Sequence, residues 1–178
     1  MPFEGFDFTG FWEESAYARD YYGCGRLTPA VLAEAENTLG YKLPESYTWL
    51  MNRHNGGVPV NRAFPTETPT SWADSHMAIE GIYGIGQNVR GSIVDGTRLM
   101  IEGWGYPDIG PAICDCPSGG HDEVFLDYRE CGSWGEPKVV LVDQEDDYSI
   151  TPLADTFEAF IRGLVSEDIF DFEDGENE

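Results

Sequence analysis

Four soft donors fall within 18 residues of this chain: Cys114, Cys116, His121 and Cys131, spaced C-x-C-x4-H-x9-C. Three Cys and one His can hold zinc, which makes this set the metal candidate. The spacing is not a recognisable zinc pattern, however. Cys114 and Cys116 are two apart on a predicted strand, so they point to one face, where a free Cys serves as a small buried hydrophobe. The expectation is no metal and no cofactor. Two acidic groups are the stronger functional candidates: Asp143, Glu145, Asp146 and Asp147, and Asp115, Asp122, Glu123 and Asp127. Neither forms a regular calcium-binding loop, and nothing fixes the carboxylate separation that hydrolysis needs. Their fate is either solvated surface or contact with a basic partner. Trp72 and Trp104 stand in or beside Gly- or Pro-bearing segments and can anchor an interface or close the core under a loop. Trp49 is assigned to packing. His54 falls at a helix end, where a cation suits the dipole. Asp74, Ser75 and His76 are consecutive and cannot form a triad, which draws on separate elements. No catalytic residue emerges; the expectation is a protein that is not an enzyme, with a metal-dependent hydrolase the least supported alternative.

The charge balance points the same way. Thirty-three Asp and Glu face 10 Lys and Arg, a formal net charge of −23 over 178 residues. The segment 166–178 supplies seven acids and no bases, yet the remainder still holds 26 acids against 10 bases. Such a field repels nucleic acid and anionic lipid and attracts basic proteins; general solubility or salt adaptation is the competing explanation. The 41% hydrophobic and 13% aromatic content is enough for a core. No apolar run is long enough to cross a bilayer. The first residues lack the basic start and apolar stretch of a signal peptide, so the expected compartment is the cytoplasm. Reduced cysteines follow from that compartment.

The elements that must position these residues are readable in part. Residues 1–26 are rich in aromatics and are expected to drape over the core, with an irregular helix between Gly10 and Tyr22 presenting Trp12, Ala16 and Arg19 on one side. Thr28 and Pro29 start a helix with Val31, Leu32, Ala35 and Leu39 on one stripe, and Gly40 ends it. Leu43 and Pro44 open a second helix whose apolar side is Tyr47, Leu50, Met51 and His54, stopped by Asn55-Gly56-Gly57. The Pro-rich stretch Val58 to His76 reads as a long loop. Strands are predicted at Gly81–Gly86, Leu99–Trp104, Ala112–Cys116, Glu123–Tyr128 and Lys138–Asp143. A last helix is predicted with Asp155 as cap, Glu158 completing a capping box, and Phe157, Phe160, Ile161 and Leu164 on one face. The fold class is α+β: a single domain with a mostly antiparallel sheet of about five to six strands, helices at its N-terminal side and a C-terminal helix. The expected organisation is an aromatic segment at 1–26, a domain at 27–165 and an acidic tail at 166–178.

These pieces, in this order, resemble the SUKH superfamily of bacterial immunity proteins and the yeast cell-wall-synthesis regulator. The resemblance rests on Thr28-Pro29, Ala35-Glu36, Leu39-Gly40, Leu43-Pro44, Tyr47, Leu50 and Asn55-Gly56-Gly57, on the strand Ala112 to Asp115, on Val124 to Asp127, and on the closing Phe157 to Leu164 helix. The long turn Pro117 to His121 and the 58–76 loop depart from a compact member. The resemblance implies an immunity-type binding protein that occludes a protein toxin with a basic surface, a nuclease or deaminase. It implies as the alternative an intracellular scaffold or regulator. It carries over no catalytic residues, and the matching positions are scaffold.

Overall fold

The computed structural model describes residues 1–171. Of the acidic segment 166–178, residues 172–178 lie outside the described residues. The helices Pro29–Leu39 and Glu45–Arg53 form where the caps and apolar stripes predict. Helix α1 spans Ala16–Tyr22 and is capped by the Ser15 hydroxyl, which accepts from the Ala18 amide. It is shorter than the predicted Gly10–Tyr22 helix. Its buried side is Ala18 and Tyr22, not Trp12, Ala16 and Arg19; Trp12 precedes it and bridges to Pro59. Helix α2, Pro29–Leu39, starts at Thr28, whose hydroxyl accepts from the Val31 amide at 3.2 Å, and stops at Gly40 with φ +81°. Helix α3, Glu45–Arg53, buries Tyr47, Leu50 and Met51.

Two antiparallel sheets follow. The smaller pairs β1, Ala63–Pro65, with β2, His76–Ala78. The larger runs β3 (Gly81–Ile82), β4 (Ala112–Asp115), β5 (Asp122–Asp127), β6 (Lys138–Asp143) and β7 (Ser149–Ala154), in that spatial order. Sequential neighbours pair antiparallel throughout; β4 to β7 are joined by turns or short loops, whereas β3 and β4 are joined by the segment 83–111. β5 is buried along its whole length. One sheet face carries Asp115, Glu123 and Phe125, met by Tyr22, Tyr83 and Tyr106; the opposite face carries Cys114, Val124 and Leu126. Helix α5, Phe157–Gly163, lies on β6 and β7. It meets α3 through Phe157 against Tyr47 (4.9 Å, edge-on) and β1 through Phe160 against Phe64 (5.1 Å).

Several local predictions need correction. The expected strand Leu99–Trp104 is helical. Helix α4, Ile93–Arg98, is capped by Ser92 and runs on as a π-helical turn over Leu99–Gly103. Ile93, Val94, Thr97 and Met100 are buried at helical spacing, a period that the apolar run Leu99-Met100-Ile101 masks. β3 stops at Ile82 because the next residues turn to the Asn55–Gly57 segment and to Gly91. The 58–76 loop contains β1 and reaches β2, each only three residues long. β7 is absent from the predicted strands; it carries Pro152 at the sheet edge, where a missing donor is tolerated. Thr156, not Asp155, caps α5 by accepting from Ala159. Glu158 instead accepts from the Phe3 amide at 2.9 Å and from Arg162 at 3.0 Å.

Tyr47 shows how tightly this core is specified. It is fully buried, and its hydroxyl donates to the Tyr83 carbonyl, tying α3 to the chain leaving β3. Tyr47→Phe should cost about 1–2 kcal/mol of unfolding free energy, because the carbonyl would be left buried without its donor. Equilibrium urea unfolding would check this; an unchanged midpoint would show that another donor satisfies the carbonyl.

Candidate protein-binding face

The turns at one end of the five-stranded sheet bring together most of the predicted contact residues. The β4–β5 turn, 116–121, lies beside the β6–β7 turn, 144–148, through Gln144 N–H to the His121 carbonyl at 2.8 Å. Asp143 caps the Gln144–Asp146 turn by accepting from the Glu145 amide. Asp147 and Tyr148 then both adopt positive φ, +53° and +58°. Such backbone is uncommon for a non-glycine residue and strained for a bulky one. Tyr148 is held there by its hydroxyl, which donates to the Trp104 carbonyl at 2.6 Å, and by edge contact with Tyr106. Tyr106 in turn donates to the Gly120 carbonyl at 2.7 Å. The Trp104 indole packs over Gly120 and edge-on to His121.

Trp72 reaches the same end from the other side. Ser71, just before it, donates to Asp122 at 3.2 Å, and Trp72 lines a groove of about 410 Å³ with Pro117, Glu80, Glu167, Asp168 and Arg62. A second groove of about 430 Å³ lies between the 68–71 loop and the β6–β7 hairpin, with Asp143, Asp146, Ser71, Ser149 and Thr151 on its walls. Trp72 is 44% exposed and Trp104 37% exposed. Glu145, Asp146 and Asp147 are exposed and Asp143 half-buried. The only base against these four is His121, whose Nδ1 lies 3.3 Å from Glu145, among the described residues.

The second acidic group divides. Asp122, Glu123 and Asp127 are buried, and Asp115 nearly so. They therefore do not make an exposed acidic surface together with the β6–β7 turn. Asp122 is pinned by the Ser71 and Ser118 hydroxyls, with burial pushing its carboxyl up. Glu123 takes the Tyr83 hydroxyl at 2.6 Å, while its other oxygen is buried without a partner among the described residues. Burial raises it well above the usual carboxylate range. Asp115, its cross-strand neighbour, accepts from the Tyr22 hydroxyl at 2.7 and 2.9 Å and is pushed up to about 6, first by burial. Asp127 lies at the far end of β5, where Arg129 grips it at 2.7 and 2.9 Å and holds it below its usual range.

The other candidates resolve structurally. Cys114 and Cys116 are buried, with their thiols pushed up by burial. They are not gathered with His121 and Cys131: among the described residues no group of three or more His, Cys, Asp or Glu is placed to hold a metal. All four cysteines are unbridged. His54 stacks on Trp12 (4.3 Å, 11°), and burial lowers its pKa, so stacking replaces the predicted cation at a helix end. His76 sits on β2, not in a loop, stacked on Phe170 at 3.9 Å. Trp49 packs against Phe3 and Phe8, with the Arg53 guanidinium 3.4 Å over its ring.

Sequence reasoning passed over Tyr148, Tyr106 and Ser71, which join the turns, and Trp134, which is 82% exposed on the β5–β6 connection. One sequence signal was available. The stretches 63–89, 99–128 and 139–161 contain no Lys or Arg, and these three stretches supply every turn at this end of the sheet.

The site is thus a sequential antiparallel sheet flanked by helices, with acidic turns at one end. Residues 30–161 match the SUKH_6 family model, described as SMI1-KNR4 cell-wall. The match spans well over half of the chain, and the chain belongs to that family. Membership places it among immunity or SMI1/KNR4-like proteins, which are generally non-catalytic and work through protein partners. No curated protein is significantly similar to the chain. Among the described residues no helix is long and apolar enough to cross a membrane.

Proposed function

We propose that this chain is an immunity-type protein that neutralises a toxin with a basic surface by covering it, and that the turn end of the sheet is the covering face. The observation that carries this reading is the convergence there of three base-free segments. Asp143, Glu145, Asp146 and Asp147 stand with no Lys or Arg ion pair among the described residues, between two part-exposed tryptophans. Unpaired carboxylates steer a basic partner and set its register. Part-exposed Trp on anchored turns supplies contact area at low ordering cost. A nuclease or deaminase toxin that grips phosphate has the matching charge. No proton transfer or nucleophile is required; the mechanism is exclusion of the toxin's substrate.

The test is binding to, and protection against, a nuclease or deaminase toxin domain sought in the neighbourhood of the chain's gene. Replacing Asp143, Glu145, Asp146 and Asp147 together by Lys should weaken binding by about 100-fold or more and abolish protection. Wild-type affinity should fall steeply with added salt. Salt-insensitive binding with intact protection in the four-site variant would overturn the assignment. Recovery of a host regulatory protein, with no toxin bound, would favour the scaffold alternative.

A further inference from the structure

A cleft of about 460 Å³ lies away from the acidic turns, against the segment Asn55–Gly56. In that motif Asn55 does more than end α3. Its side-chain amide donates to the Gly25 and Ile85 carbonyls at 2.9 and 3.0 Å, and its oxygen accepts from the Ile85 amide at 2.7 Å. The Cys24 amide adds a bond to the Asn55 carbonyl at 3.0 Å. The loop between α1 and α2 is thereby clamped to the end of α3, and the cleft lies between them.

Arg19, Arg26 and Arg53, three of the ten bases in a chain of net charge −23, line this one cleft. Arg19 and Arg53 stand in the last turns of α1 and α3, where a cation offsets the helix dipole. That role does not account for Arg26, which is on the clamped loop beside Gly25. Arg53 is partly engaged, lying over Trp49 and donating to its carbonyl. Arg19 and Arg26 make no salt bridge among the described residues, although Glu13 and Glu14 stand on the same rim. Beneath the guanidinium groups the wall is apolar: Ala18, Leu27 and Met51.

We propose that this cleft is a binding site for a small organic anion, an oxyanion group carried on an apolar body. Unpaired guanidinium forks are suited to carboxylate and phosphate, the apolar wall takes the body, and the volume falls in the range of small-ligand sites. The site is independent of the toxin-binding reading, because it lies on other elements and has the opposite charge.

The experiment is a titration of the full chain with phenyl phosphate, phenylacetate and inorganic phosphate, followed by amide and arginine side-chain NMR shifts. Saturable shifts at Gly25, Asn55, Gly56 and the three arginines are expected with the two aromatic anions. The tighter of the two identifies the oxyanion, and inorganic phosphate should bind more weakly for want of the apolar body. Arg26→Ala alone, and Arg19→Glu with Arg26→Glu, should each weaken binding by about tenfold or more. Arg98→Glu, outside the cleft, should leave it unchanged. These side chains are exposed, so the variants should fold, and the wild-type shift map does not depend on them. No saturable shift in the wild type up to the millimolar range, or equal affinity in the cleft variants and Arg98→Glu, would overturn the proposal.

Discussion

Gly56→Ala should destabilise the protein by about 3 kcal/mol or more and leave little folded material under mild heating. Gly56 holds φ +87°, and a Cβ there would lie 2.2 Å from the Tyr22 carbonyl oxygen, 2.7 Å from the Gly84 nitrogen and 2.9 Å from the Gly84 Cα. All three obstacles are backbone, on two different segments, so relief requires moving the end of α1 away from the chain after β3. That movement would also strain the hydrogen bonds of Asn55. Gly57 is the internal control: a Cβ there meets the side chains of His54 and Trp12, 2.9 Å away, which can shift. Urea unfolding of both variants should therefore rank Gly56→Ala well below Gly57→Ala. Equal midpoints would contradict the close approach of the three segments.

The second large effect is in pH. Acidification from about pH 7.5 to about pH 5 should raise stability, opposite to the usual acid response of proteins. A carboxyl whose pKa is higher in the folded state binds its proton more tightly there. Its stabilising effect is therefore complete below the unfolded pKa and is lost as pH rises through the folded one. Asp115 moves from 3.8 to about 6, so between those values the fold loses roughly 2–3 kcal/mol. Glu123 and Asp122, both raised by burial, act in the same direction. The repulsion within a chain of net charge −23 also relaxes as protons are taken up. His54 works the other way within this window, since burial lowers its pKa and disfavours its protonated form in the fold; Asp127, held low by Arg129, loses its stabilisation only below about pH 4. Its half-exposed ion pair is screened and worth less. Asp115→Asn combined with Glu123→Gln should flatten the profile. A wild-type urea midpoint lower at pH 5 than at pH 7.5 would sink this account.

The parts of this structure that were legible in the sequence are those with local causes. Thr28-Pro29 and Gly40 mark α2 because capping and left-handed backbone are decided within a few residues. Lys138–Asp143 was readable because a strand buried on both faces is apolar throughout. The parts that were not legible depend on distant partners. β1 and β2 are three residues each and exist only because they pair with one another. Leu99–Gly103 continues a helix whose cap, Ser92, gives little signal among the neighbouring glycines. The acidic residues show the same limit. Asp122, Glu123 and Asp143–Asp147 look alike in sequence, but a cross-strand position beneath Tyr22 and Tyr83 buries Glu123, while the β6–β7 turn exposes Asp146. The turn end of the sheet was half visible, because Trp72, Trp104 and the 143–147 block were recognisable by type. The hydroxyls of Ser71, Tyr106 and Tyr148 that join them required the fold.

The placement of the bases has a practical corollary. The chain has two lysines, Lys42 and Lys138. Lys138 opens β6 opposite Asp127, and the Lys42 amide bonds Ser133 on the β5–β6 connection. Both stand at the pole of the sheet remote from the acidic turns. The lysine amines are thus confined to one side of the molecule. Immobilisation through the lysines on a sensor surface should therefore leave the carboxylate-rich turns directed into solution.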